Sequence, residues 1–371
     1  MVGVGGDTAQ YALSFAADGD TLGAAGYNGA GNNHRLVEFN AVPDANGRSA
    51  YTNNVTSGAN SVALNPTDVL RAGTDPVQRV SSSGNAISAL LADTNSPEVI
   101  NYIFSSSEPT AANQTTAANN GWGYLHVVEF GTDSVQIVTD STTNAPSGLS
   151  PAELLAIYEG TDTTWNSLPG NSGGSAATIV PLIPPSGSTI YKTFIADLTT
   201  ANGGSAPTLS SSVKTVEQND PTAITGSTNS ANEIVPFSAA RLALWNSAYF
   251  YNPNAVFGSN DTGSGNGGHG SAFPTTGTST ALSSGVTALT GTPGDGGAVY
   301  NSPITDYVIF RQSDASDAAW QPGGSLNWVQ TLFSNPSAPT NPLFANSKGK
   351  ALIAAAGVTP AYDDLGDVSH G

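Results

Sequence analysis

Four times along the chain a short loop of glycine and hydroxyl residues opens a segment with helix-compatible spacing, and this repeated order limits the folds available. In the first, Gly5-Gly6-Asp7-Thr8, either Asp7 or Thr8 is placed to cap a helix carrying Tyr11, Leu13, Phe15 and Ala16. The second, Arg79-Val80-Ser81-Ser82-Ser83-Gly84, precedes Ile87, Leu90 and Leu91 at i, i+3, i+4 spacing. The third follows an apolar run, Tyr102-Ile103-Phe104, which ends in Ser105-Ser106-Ser107 and a turn marked by Pro109. The fourth, Ser186-Gly187-Ser188-Thr189, follows Ile179–Ile183 and leads into Tyr191, Phe194, Ile195 and Leu198. Strands alternating with helices argue for a parallel sheet covered by helices rather than a sandwich.

Between the third and fourth loops, Tyr124–Phe130 and Val135–Val138 read as strands. Ser150-Pro151-Ala152-Glu153 then reads as a capping box with proline at the first helical position, and Leu154, Leu155, Ile157 and Tyr158 form the expected buried stripe. The stretch 252–297 is dominated by Gly, Ser, Thr and Asn and reads as a long insertion; 40–58 and 203–212 read as surface loops.

At 371 residues the chain exceeds one compact core, so two lobes are expected. Apolar residues make up 38% and charged residues only 10%, which leaves a surface of Ser, Thr, Asn and Gly around a real core. The net charge of −18, with no basic stripe, argues against nucleic acid and anionic membranes as partners. The absence of Cys excludes disulfides and thiol chemistry. No apolar run approaches the roughly 18 residues of a membrane span, and Met1–Asp7 lacks the pattern of a secretory signal.

The segment Leu149–Gly160, continuing to Thr164-Trp165-Asn166-Ser167-Leu168, resembles the phosphate-binding proteins of phosphate ABC importers, within the type 2 periplasmic-binding-protein fold. The order of the other elements agrees, from Gly3–Thr8 through Ser186–Thr189 to Ile234–Ser238. The resemblance covers most of residues 1–250, and Asp306–Phe310 reads as a late strand returning to the first lobe. It implies an α/β fold of two lobes, each a mixed sheet flanked by helices, with a ligand in the cleft. Lobe 1 would comprise 1–126 and 238–371, and lobe 2 would comprise 127–237, with crossings near Val127–Phe130 and Ile234–Phe237.

Carried over residue by residue, the resemblance places candidate ligand contacts at Asp7, Thr8, Arg79, Ser81, Ser82, Ser83, Ser105, Ser106, Ser107, Ser186, Gly187, Ser188 and Thr189. Helix N-termini and small hydroxyls make an anion site without much positive charge. Two family contacts depart from the pattern. The third-loop acid falls among Ser105–Ser107, unless Glu108 substitutes, and the fourth-loop arginine position holds Leu182. Taken singly, each loop is also what any helix cap or tight turn looks like.

Catalytic patterns are weaker. His34, His126, His269 and His370 show no metal-ligand spacing, and Asn171–Ser175 resembles a nucleophile's setting without a His/Asp partner. No enzyme activity, cofactor or metal is expected. Two functions remain. The preferred one is a surface module of this fold reused structurally or adhesively, such as a virion decoration or tail component, acting through protein partners or self-assembly on a particle or cell surface. The alternative is a secreted solute-binding protein of an importer for phosphate or another small oxyanion.

Overall fold

A computed structural model describes residues 1–19, 24–30, 35–40, 67–68, 77–78, 82–94, 98–246, 285–316 and 328–368. Arg79 and Ser81, the loop 41–58 and most of the insertion, 252–284, lie outside the described residues. In chain order the elements begin β1 (Val2–Gly5), α1 (Gln10–Asp18), β2 (Val37–Asn40), β3 (Thr67–Asp68), β4 (Val77–Gln78) and α2 (Ser83–Ala92). There follow β5 (Tyr102–Ser105), α3 (Ala111–Asn119), β6 (Leu125–Asp140), α4 (Pro151–Glu159), β7 (Val180–Ile183), α5 (Thr189–Ala201) and β8 (Lys214–Thr215). The chain continues through α6 (Thr222–Thr225), β9 (Glu233–Ser238), α7 (Ala239–Trp245), β10 (Val286–Ala288) and β11 (Asn301–Arg311). It closes with α8 (Gln312–Ser316), α9 (Trp328–Leu332), α10 (Ser347–Ala355) and β12 (Thr359–Asp367).

The chain divides into two units. Unit 1 is Met1–Val42, Ala50–Asp133 and Ile304–Gly371, and unit 2 is Pro43–Ser49 and Ser134–Pro303. The passages fall inside strands, between Asp133 and Ser134 of β6 and between Pro303 and Ile304 of β11. The expected crossings lay earlier. β9, read from sequence as the return crossing, is a fully buried strand of unit 2 that pairs antiparallel with β6 and parallel with β7.

In unit 1, β1 lies between β2 and β5, parallel to both, and β11 pairs antiparallel with β5. A strand inside a parallel sheet is covered on both faces, which explains the wholly buried Val2-Gly3-Val4-Gly5. Val2 and Val4 join a core with Ile87, Leu90, Ile103 and Val127. On the opposite face Gly3 and Gly5 leave room for the rings of β5: a Cβ on Gly3 would lie 2.1 Å from Tyr102 Cζ, and one on Gly5 2.2 Å from Phe104 Cδ2. Trp328 and Phe333 continue that aromatic layer, with Phe333 5.2 Å from Tyr102 and 5.8 Å from Trp328 between ring centroids.

One sequence expectation changes here. The strands read at Tyr124–Phe130 and Val135–Val138 are one 16-residue strand, because Gly131 and Thr132 are paired to Pro360 and Thr359 of β12 instead of turning. Asp363 and Asp364 lie in β12. Asp364 Oδ1 is 2.7 Å from His126 Nε2, while His126 Nδ1 is 2.7 Å from Gln312 Oε1.

In unit 2 the box at Ser150 forms as read. Ser150 Oγ accepts from Glu153 N at 3.1 Å, and Glu153 Oε2 accepts from Ser150 N at 2.9 Å. Leu154, Ile157 and Tyr158 are buried, and Tyr158 meets Phe194 of α5 edge-on at 4.7 Å. Residues 285–297, the described end of the expected insertion, are built into the unit, with β10 paired to β6 and Asp295 Oδ2 accepting from Ser150 Oγ at 2.5 Å. Among the described residues no helix is long and apolar enough to cross a membrane.

Candidate functional site

Three of the four loops meet in unit 1, each at the C-terminal end of β1 or β5 or at the start of α2. Gly6 N donates to Phe104 O at 3.2 Å, which ties the first loop to the end of β5. Ser106 N donates to Ser83 Oγ at 2.8 Å, which ties the third loop to the second. A Cβ on Gly6 would lie 3.1 Å from Ser83 Oγ, so the first and second loops pass close to one another.

The hydroxyls in this cluster play different parts. Ser82 caps α2, accepting from Asn85 N at 3.2 Å. Ser105 and Ser107 close a local turn, with Ser105 Oγ donating to Ser107 O at 2.6 Å and accepting from Ser107 N at 3.0 Å. Thr8 is not the cap of α1, whose N-cap position is held by Ala9. The Thr8 hydroxyl turns elsewhere, because the third loop and a later strand offer it better partners. Thr8 Oγ1 is hydrogen-bonded to Ser106 Oγ and donates at 3.3 Å to Asp306 Oδ1, to which Ser106 Oγ also donates at 2.7 Å. Asp7 is buried beside Thr8.

Asp306 was not among the residues singled out from sequence. Tyr307 pairs with Ser105 in the antiparallel register of β5 and β11, so the preceding residue, Asp306, falls opposite Ser106. Alternation places Asp306 on the buried face with Ile304 and Val308, where it has no exposed surface. Burial pushes its carboxyl up to about 8, the charge of Asp133 adds to the rise, and the hydroxyl bonds from Ser106 and Thr8 pull the other way. Its second oxygen, Oδ2, is buried without a hydrogen-bond partner. An acid at an inward strand position amid Ile304, Val308 and Phe310 is the signal that would have found it.

Glu108 Oε1 accepts from Tyr307 Oη at 3.1 Å. The fourth loop belongs to unit 2. There Ser188 caps α5, accepting from Tyr191 N at 3.1 Å, Ser186 and Gly187 are exposed, and Thr189 is the first residue of the helix. Leu182 is a core residue of that unit, with Val138, Val235 and Phe237 around it.

One other polar string has a superficially catalytic composition. Ser334 Oγ, however, donates to Asp364 Oδ2 and not to His126, so no hydroxyl is held against an imidazole base. Among the described residues no group of three or more His, Asp or Glu is arranged to hold a metal ion.

The family model described as the PBP superfamily domain matches residues 45–272, more than half of the chain. The protein belongs to the PBP superfamily, and its mixed α/β units are those of a type 2 periplasmic-binding-protein-like fold. No curated protein matches the chain. Among solved structures it is similar to an ABC-type phosphate transport receptor from Vibrio cholerae, at 14% identity and a TM-score of 0.41, over 76% of this chain and 86% of that one. It is similar to PstS from Borrelia burgdorferi at 12% identity and a TM-score of 0.41, over 97% and 98%. A high-affinity periplasmic phosphate-binding protein, PfluDING, crystallised with phosphate, matches at 18% identity and a TM-score of 0.43, over 84% and 87%. At these values the fold assignment rests on the family model.

Proposed function

We propose that the chain is a non-enzymatic, exported solute-binding protein whose unit 1 loops take up a small inorganic oxyanion, with phosphate the first to test. The observation that carries this reading is the convergence of Thr8 and Ser106 on the buried Asp306, with Ser83 accepting from Ser106 N beside them. Small hydroxyls at the mouths of loops that open helices suit an anion, because they donate hydrogen bonds where the helix N-terminus is already positive. They suit hydrolysis poorly, since the nearby titratable group is an acid that holds its proton and not a base that would take one from serine. Asp306 places an acid beside the third loop, behind Ser106. No observation among the described residues favours the virion or adhesive module that the sequence reading preferred.

Titration of the full chain with phosphate, sulfate and arsenate by calorimetry, with thermal shift alongside, tests the reading. Saturable one-to-one binding of at least one anion, weakened in Thr8→Val, is the expected result. No heat and no shift with any of them would overturn it.

A further inference from the structure

The three contacts among Thr8, Ser106 and Asp306 need more protons than two hydroxyls can supply. When Asp306 is a carboxylate, the Thr8 and Ser106 O–H groups are the cluster's whole stock, and the negative charge draws both inward to Oδ1, where the structure places them at 3.3 and 2.7 Å. Nothing is then left to donate outward, and a second negative charge faces any arriving anion. When Asp306 is an acid there are three protons. The carboxyl can donate into Ser106 Oγ, two contacts stay covered, and one hydroxyl proton is released to face a ligand. Asp306 lies behind the hydroxyls with no exposed surface of its own, so it acts through them.

We infer that Asp306 is a proton-gated positioning residue: its acid form turns a Thr8 or Ser106 hydroxyl toward an anion, and its carboxylate form closes the site to anions. This rests on the oxyanion reading above and adds what sets its specificity. The site would take anions that accept hydrogen bonds and would not require a ligand that brings its own proton.

The surroundings favour the acid form at neutral pH. Among the described residues the charge acting on Asp306 is that of Asp133 on β6, which is of like sign; the loop before α1 contributes the Thr8 hydroxyl with Asp7 beside it, and the loop after β5 contributes Ser106. On that loop Glu108 is engaged by Tyr307, the neighbour of Asp306 on β11. A buried carboxylate without a cation in contact keeps its proton in preference to standing unpaired, in line with a titration pushed up to about 8.

Sulfate is the probe, because its charge is constant between about pH 6 and 9.5, so any change over that range comes from the protein. Wild-type affinity for sulfate is expected to hold up to about pH 8 and then to fall roughly tenfold per pH unit. Calorimetry at pH 8.5 in buffers of different ionisation enthalpy should show a proton taken up with the anion. Asp306→Asn, neutral at every pH, should retain sulfate binding and flatten the profile. A flat wild-type profile, or binding without proton uptake, would overturn the inference, and both measurements stand if Asp306→Asn does not fold. Binding of phosphate but not sulfate would also overturn it, showing that the site needs an acceptor, while leaving the oxyanion reading intact. If the wild type binds neither anion, both fall together.

Discussion

The first and fourth hydroxyl loops look alike in sequence and are used in opposite ways. In the fourth, Ser188 Oγ accepts from Tyr191 N three residues on, and the loop serves its own helix. In the first, Thr8 does not cap α1 and instead joins Ser106 and Asp306, which lie 98 and 298 residues away along the chain. The difference lies in what the fold brings within reach. Where a buried acid arrives from a distant strand, a hydroxyl that would ordinarily cap a helix is recruited to satisfy it, because a buried carboxyl without partners costs more than a missing cap. A loop whose hydroxyl is drawn away from its own helix into long-range contacts is where function should be sought.

The largest test of this contrast is the pH dependence of stability. The Asp306 carboxyl titrates near 3.8 when the chain is unfolded and about 8 when folded, so between these values the native state holds a proton that the unfolded state has lost. Its contribution therefore declines as pH rises from about 4 to about 8 and is constant above that, a total on the order of several kcal/mol. Urea denaturation across that window should show Asp306→Asn gaining on the wild type as pH rises; parallel curves would mean that Asp306 is not buried as an acid.

Next in size is the anion site. Thr8→Val or Ser106→Ala should weaken oxyanion binding by tenfold or more, as expected for removing a hydrogen bond worth about 1.5–3 kcal/mol to a charged partner. Ser150→Ala, in a capping box of unit 2, should leave binding unchanged while lowering stability by about 1 kcal/mol. Equal effects of these variants on binding would erase the distinction between hydroxyls that converge on Asp306 and hydroxyls that cap a helix.

A cap-only role for the fourth loop makes a smaller prediction. Ser188→Ala should cost about 1 kcal/mol in urea denaturation, and Thr8→Val, which removes no cap, should show none of that cap penalty. The smallest effect is expected at Gly187, which is exposed with nothing within 4 Å of a would-be Cβ. There Gly187→Ala should change the melting midpoint by no more than about half a kcal/mol of stability allows.

Much of the local structure was legible because its causes are local. The capping box at Ser150 and Glu153 and the proline opening α4 act over three or four residues and formed as read, and of the expected stripe Leu154, Ile157 and Tyr158 are buried while Leu155 is half-buried. Where neighbours intervened, local reading failed. The apparent gap at Gly131–Ser134 is strand because β12 pairs with part of it, and Asp363 and Asp364 are ordered for the same reason. An acid was sought within the third loop, among Ser105, Ser106 and Ser107, whereas the buried acid beside Ser106 is Asp306, on a strand that begins nearly two hundred residues later.

The sequence by itself determined the α/β alternation, the loops that would open helices and the hydroxyls available at their mouths, since propensity, capping and periodicity depend on residues a turn apart. Only the tertiary structure decided which of those hydroxyls cap and which converge. That choice depends on the register of β11 against β5, set by long-range pairing, and on the burial that follows from it. One step of register, Tyr307 opposite Ser105, places Asp306 under Thr8 and Ser106 and turns three common loops into a candidate anion site.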